Sequence, residues 1–112
     1  MTFEQITTQY AALITESAVQ DNAWQLTSEP QSVRRLLEAL RPVFDYPEDL
    51  TCVDEDGTLR VLYRLYSIAQ RQLVHVHVRL TPGQEHLPTA SDLWHGLEWH
   101  EREAYDLFGV TF

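Results

Sequence analysis

The chain has 112 residues, 44% hydrophobic and 22% charged, a size and composition that fit one globular domain with one core. Eight basic against seventeen acidic residues give a formal charge of −9. A field of that sign repels phosphate backbones and no basic cluster offsets it locally, so nucleic acid is not expected as a partner. The single cysteine, Cys52, cannot close an intrachain disulfide, and no apolar run approaches the ~20 residues that cross a bilayer. No signal peptide is visible, so the expectation is a protein of a reducing, cytoplasmic compartment that meets a membrane only through a partner.

Thr2-Phe3-Glu4-Gln5 has the form of a capping box, and Phe3, Ile6, Tyr10, Leu13 and Ile14 follow at helical spacing. Together they predict an amphipathic helix from about Phe3 to Glu16. Ala23 to Thr27 suits a short strand. Ser28-Glu29-Pro30-Gln31 repeats the capping-box pattern with proline in the first turn. Val33, Leu36, Leu37 and Leu40 then supply the stripe of a second helix, which carries Arg34 and Arg35 and which Pro42 helps to end.

The period changes in the middle of the chain. Leu50 to Asp54 reads as a strand in which Cys52 is expected to be a small buried residue, and Asp56-Gly57 marks a hairpin turn. From Thr58 to Tyr66, Leu59, Val61, Tyr63 and Leu65 alternate with Arg60, Leu62, Arg64 and Tyr66. After a turn at Ala69 to Gln72, Val74, Val76, Val78 and Leu80 alternate with His75, His77 and Arg79. Alternation of this length indicates half-buried antiparallel strands. The elements predict an α+β two-layer domain over residues 1–112, with N-terminal helices, an antiparallel sheet of three or more strands and a C-terminal helix.

Thr81 to Pro88 is a loop, Thr89 or Ser91 is placed to cap the last helix, and Gly96 interrupts it so that its regular part begins near Leu97. On a helical wheel Leu97, Glu101, Ala104, Tyr105 and Phe108 share one face, while Glu98, Arg102 and Asp106 form an adjoining one. Glu98 and Arg102 are spaced for an ion pair worth ~0.3–0.5 kcal/mol when exposed. Glu101 is the unusual residue, because a carboxylate within an apolar stripe needs backbone N–H groups, an arginine or a partner. Gly109 is placed for a left-handed cap that turns Val110 and Phe112 back toward the core. Trp99 falls opposite the stripe, where an exposed tryptophan suits an interface anchor.

Other chemistries fit less well. His75 and His77 share a strand face, but no third ligand is placed by spacing, and His95 and His100 stand five apart rather than the four that aligns two ligands on a helix. Glu101 and Glu103 are two apart and point about 200° from each other, too divergent for an acid–base pair on one substrate. Asp106-Leu107-Phe108-Gly109 echoes a kinase motif only superficially in a chain this short. One cysteine cannot ligate an iron–sulfur cluster that needs about four.

The stretch from Leu87 to Phe112 carries Pro88, Trp94, Gly96, Trp99, Glu101, Arg102, Glu103, Tyr105, Asp106, Phe108, Gly109 and Phe112. It resembles the 30 kDa subunit family of respiratory complex I, also called the C subunit of NADH dehydrogenase, together with the related short subunits of energy-converting membrane-bound hydrogenases. That family's pattern runs Trp-x-Glu-Arg-Glu-x-Tyr-Asp-x-Phe-Gly-x-x-Phe after an upstream proline and tryptophan. Asp49 to Asp54 and Leu62 to Ser67 extend the likeness more loosely, so it covers about residues 30 to 112. Glu98 departs from it, standing where asparagine is usual. The sequence stops at Phe112, where complex I members usually continue in a partner-wrapping tail, so the expectation is either a piece of a longer chain or, preferred, a short form like those in hydrogenase complexes.

The resemblance implies a protein that catalyses nothing itself and binds no flavin, nickel or cluster. Its expected partners are a large subunit related to nickel–iron hydrogenase and a small subunit bearing iron–sulfur clusters, on the cytoplasmic side and peripheral to the inner membrane. Trp99, Glu101, Arg102, Glu103, Tyr105, Asp106 and Gly109 become the motif and assembly-interface residues. Within that set Glu101 is expected to be buried and to fix the last helix, with Trp99, Arg102, Glu103 and Asp106 facing the large subunit. A free-standing binding module or homodimer with the same fold and no redox role stands as the alternative.

Overall fold

A computed structural model describes residues 1–112. Helix α1 (Phe3–Gln9) starts from the capping box expected of it: Thr2 Oγ1 accepts from the Gln5 amide at 3.1 Å and Gln5 Oε1 from the Thr2 amide at 2.8 Å. The helix stops well short of Glu16. After a 3-10 turn at Ala11–Leu13 the chain is captured by a neighbouring strand, with the Thr15 amide donating to Thr27 O at 2.8 Å and Ser28 Oγ to Leu13 O at 2.7 Å. Ser28 is therefore not the cap of the second helix. Helix α2 (Val33–Leu40) begins later, behind a turn in which Glu29 O accepts from the Ser32 and Val33 amides, and it buries all four predicted stripe residues.

Strands β1 (Glu16–Gln20) and β2 (Ala23–Ser28) form a hairpin closed by Asp21 and Asn22, both at positive φ. Such a two-residue loop matches strand twist, and Asn and Asp tolerate that conformation. Strands β3 (Tyr46–Glu55), β4 (Thr58–Ser67) and β5 (Gln72–Arg79) make the predicted meander, turning at Asp56-Gly57 and at Arg71. Val61, Tyr63, Leu65, Val74, Val76 and Val78 all point inward, as the alternation required.

The sheet is larger than the meander and is not wholly antiparallel. Its order is β1-β2-β5-β4-β3, and β2 runs parallel to β5 with Leu26 opposite Val76. A parallel pair needs a long crossover; here residues 29–71, holding α2, β3 and β4, supply it. A third helix, α3 (Glu98–Phe108), follows a 3-10 turn at His95–Leu97. Ile6 of α1, the α2 stripe, Leu97 and Ala104 of the terminal segment and the inward side chains of the sheet make one core cluster. The helices thus cover one face of the sheet, and the other face is left open. No helix is long and apolar enough to cross a membrane.

Candidate functional site

The last helix is positioned by the segment that leads into it. Arg34 of α2 clamps Asp92 through two bonds of 2.6 and 2.8 Å and also donates to Thr89 O at 2.9 Å. Arg41 donates to Leu93 O at 2.5 Å and stands 5.9 Å from the centre of the Trp94 ring. Trp94 is buried, and its indole N–H donates to Phe44 O at 2.8 Å. Gly96 then lets the chain pass close to β3, since a Cβ there would meet Pro47 Cγ at 3.2 Å. At the far end Gly109 takes φ +77°, its amide bonds Tyr105 O at 2.9 Å, and Val110 is returned to the core. This is the left-handed cap expected from the sequence. The tail is held by a bridge in which Thr111 N donates to Glu85 O and Leu87 N to Thr111 O.

Glu101 is 7% exposed, and both its oxygens are used. Oε1 accepts from Thr89 Oγ1 and Oε2 from the Ala90 amide, each at 2.7 Å. Thr89 therefore does not cap the helix, and neither does Ser91: the residue before α3 is Leu97, with no side-chain cap bond. Glu101 is bonded within the domain, with neutral donors only. Beneath the same helix Tyr63 is fully buried; its hydroxyl has no hydrogen-bond partner among protein groups, and burial, with Glu101 nearby, pushes its phenol pKa far up.

Only part of the predicted apolar stripe goes inside. Leu97, Glu101 and Ala104 are buried, whereas Tyr105 is 57% and Phe108 38% exposed. Trp99 and Leu107 are more exposed still, at 67% and 70%. Half of the large apolar side chains that the whole fold leaves in solvent thus sit on this one helix. Arg102, Glu103 and Asp106 are exposed beside them. The predicted Glu98–Arg102 pair does not form. Glu98 approaches His95 Nδ1 at 3.7 Å instead, and Arg102 makes no ion pair. Arg102 lies between two open grooves, one of about 310 Å³ lined by His95, Gly96, Glu98 and Trp99. The other, of about 360 Å³, is lined by Glu98, Glu101, Tyr105, Thr111 and Phe112.

Cys52 is half-buried rather than buried. It lines a shallow hollow of about 100 Å³ under Glu103, Leu107 and Phe108, where desolvation pushes the thiol pKa up. On the open face of the sheet Gln25 links the two neighbouring histidines. Its Nε2 lies 3.1 Å from His75 Nδ1 and its Oε1 2.7 Å from His77 Nε2, while Arg60 stands 2.5 Å from His77 Nδ1. Both imidazoles are held below their ordinary pKa range, first by desolvation and then by arginine, Arg64 for His75 and Arg60 for His77. Arg64 itself pairs with Asp49. No three His, Cys, Asp or Glu side chains stand close enough together to hold a metal ion. Nothing in the spacing of Gln25 points to its bridging role, because the parallel β2–β5 pair that creates it leaves no local signal.

The structure is thus a small α+β domain whose terminal helix carries exposed apolar and charged side chains beside two open grooves. Residues 26–112 match the family described as respiratory-chain NADH dehydrogenase, 30 Kd subunit, and the chain belongs to that family. It is 33% identical over 92 residues to the C subunit of NADH-quinone oxidoreductase from Citrifermentans bemidjiense, an alignment covering 78% of this chain and 57% of the relative. It is 31% identical over 99 residues to the C/D subunit of NADH-quinone oxidoreductase from Acinetobacter baumannii, covering 80% of this chain and 17% of that protein. The chain thus spans little more than half the length of the Citrifermentans relative and a far smaller share of the C/D protein.

Among solved structures, the trypsin-resistant fragment of Nqo5 superposes with a TM-score of 0.87 at 21% identity, covering 100% of this chain and 96% of the fragment. A chain of the membrane-bound sulfane sulfur reductase, an archaeal respiratory membrane complex, gives 0.83 at 23% identity, covering 96% of this chain and 65% of that one. At those identities the two superpositions establish a shared fold.

Proposed function

We propose that this chain is a non-catalytic, peripheral subunit of a membrane-associated oxidoreductase, of the NADH:quinone oxidoreductase or energy-converting hydrogenase type. The observation that carries the reading is the outer surface of α3. The motif residues Trp99, Arg102, Glu103 and Asp106 project into solvent, although a helix that served only to cover a core would keep its large aromatic side chains inside. Exposed aromatic and arginine side chains with open grooves beside them fit the centre of a protein interface.

The partner in this reading is the large, hydrogenase-like subunit, with a small iron–sulfur subunit nearby; the clusters reside in those partners and none in this chain. The relative named as a C/D subunit, of which the alignment covers 17%, supports a contact with a further subunit. Residues 1–112 act as one domain on the cytoplasmic side, attached to the inner membrane through the complex. Glu101 and Gly109 shape the helix from within, and Tyr105 borders the contact.

A second reading is a free-standing module that pairs with itself. The strand β1 favours it, since all five of its residues are exposed at an open edge of the sheet. Affinity purification of the tagged chain from gently solubilised membranes of its host separates the two. Co-purification of a hydrogenase-like large subunit with cluster-bearing and membrane subunits supports the first reading. Recovery of the chain alone, or only with copies of itself, rejects it.

A further inference from the structure

Glu101 is the most buried carboxylate in the chain and it has no cation. The carboxylates that do hold an arginine, Glu38, Asp49, Glu55 and Asp92, are all more exposed. Folding has placed its arginines on acids that water could have served and left the desolvated one with two neutral donors, Thr89 Oγ1 and the Ala90 amide. An ionised carboxylate accepts about four hydrogen bonds. Two acceptor positions therefore remain, on a charge that is costly to bury uncompensated.

The groove of about 360 Å³ between α3 and the C-terminal Thr111-Phe112 has Glu101 in its lining. Its lining explains which cation fits. Glu98 adds a second negative charge, and Tyr105 and Phe112 contribute aromatic surfaces. A planar guanidinium stacks on such surfaces and forks onto a carboxylate, whereas an ammonium is a compact, strongly hydrated point charge. Arg102 borders the groove but pairs with neither acid. It follows Glu101 directly in the helix and so projects about 100° away from it.

We propose that this groove receives an arginine side chain of the partner that docks on α3, its guanidinium supplying the missing bonds and charge of Glu101. The proposal rests on the reading of α3 as an assembly face. It adds the chemistry of the partner: an arginine at the rim of the contact, beside the Trp99 anchor.

The test uses the assembled complex in its host, with a photo-activatable benzoylphenylalanine in place of Tyr105 and, separately, of Trp99. Both positions are exposed, so neither replacement disturbs the core. The expected result is a cross-link from position 105 to a partner peptide with an arginine within a residue or two of the attachment point. Replacing that arginine by alanine should then weaken recovery of the complex at least tenfold. A partner cross-link from position 99 with none from 105, or one from 105 to a segment without arginine, overturns the proposal and leaves the assembly reading standing. The same holds if the alanine replacement leaves recovery unchanged. No cross-link from either position rejects both.

Discussion

The Ala90 amide donates to Glu101 Oε2 at 2.7 Å, a buried bond between the loop leading to the last helix and the first turn of that helix. Together with the Thr89 hydroxyl it converts an acid in an apolar stripe from a liability into a fastening. It ties the start of α3 to the preceding loop at a point where no side chain caps the helix.

Replacing Glu101 by alanine should therefore destabilise the isolated domain by about 2 kcal/mol, since it leaves a buried amide without an acceptor. For a domain of this size that is a fall of roughly 8–10 °C in melting temperature. Glutamine, which retains one acceptor oxygen, should cost about half as much. Thermal denaturation followed by circular dichroism reads both, and a shift within ~1 °C for the alanine variant would contradict the fastening role.

Arg102, Trp99 and Asp106 should behave in the opposite way. Each is exposed and Arg102 is unpaired, so alanine at any of them should move stability by no more than ~0.5 kcal/mol. The same variants should reduce co-purification of the large subunit, with Trp99→Ala the most damaging because aromatic anchors carry much of an interface's energy. A sharp loss of melting temperature in Arg102→Ala would show that its role lies inside the fold.

Gly109 offers a test of backbone conformation alone. It sits at φ +77°, and an added Cβ would meet nothing within 4 Å. Gly109→Ala should thus cost only the conformational penalty of a left-handed residue, about 1 kcal/mol, readable in urea denaturation. A loss several times larger would mean that the Val110–Phe112 tail is displaced.

The two histidines on the open sheet face should make stability depend on pH. Their folded pKa values lie below the unfolded value near 6.5. Above that value both states are neutral and nothing is lost; as pH falls below it the unfolded chain takes up protons first, so stability declines. The charged groups that act on the pair are Arg60, Arg64, Arg79, Asp21, Glu48, Asp49 and Glu55. The variant His75→Gln with His77→Gln should show a flatter profile between pH ~6.5 and ~5. An equal slope in wild type and variant would place the dependence elsewhere.

Where the sequence is legible, a local pattern has a single physical cause. Val61, Tyr63 and Leu65, then Val74, Val76 and Val78, alternate because one face of each strand is buried. Asp56-Gly57 turns the chain because both residues take positive φ. Strand β1 escapes such a reading because no residue of Glu16–Gln20 is buried, so it has no hydrophobic period. The apolar residues up to Ile14 suggest a longer first helix, yet the open edge of β2 claims that part of the chain instead.

The site divides along the same line. Spacing along the chain is enough to require that residues 97–108 form a helix ended by Gly109, that Glu101 falls among apolar positions and that Trp99 faces away from them. It took the folded arrangement to establish that Thr89 and Ala90 hold Glu101, that Tyr105 and Phe108 remain in solvent, and that Arg102 stands free between two grooves. Those features depend on how α3 lies against β3 and on where distant segments arrive, and no local periodicity encodes either.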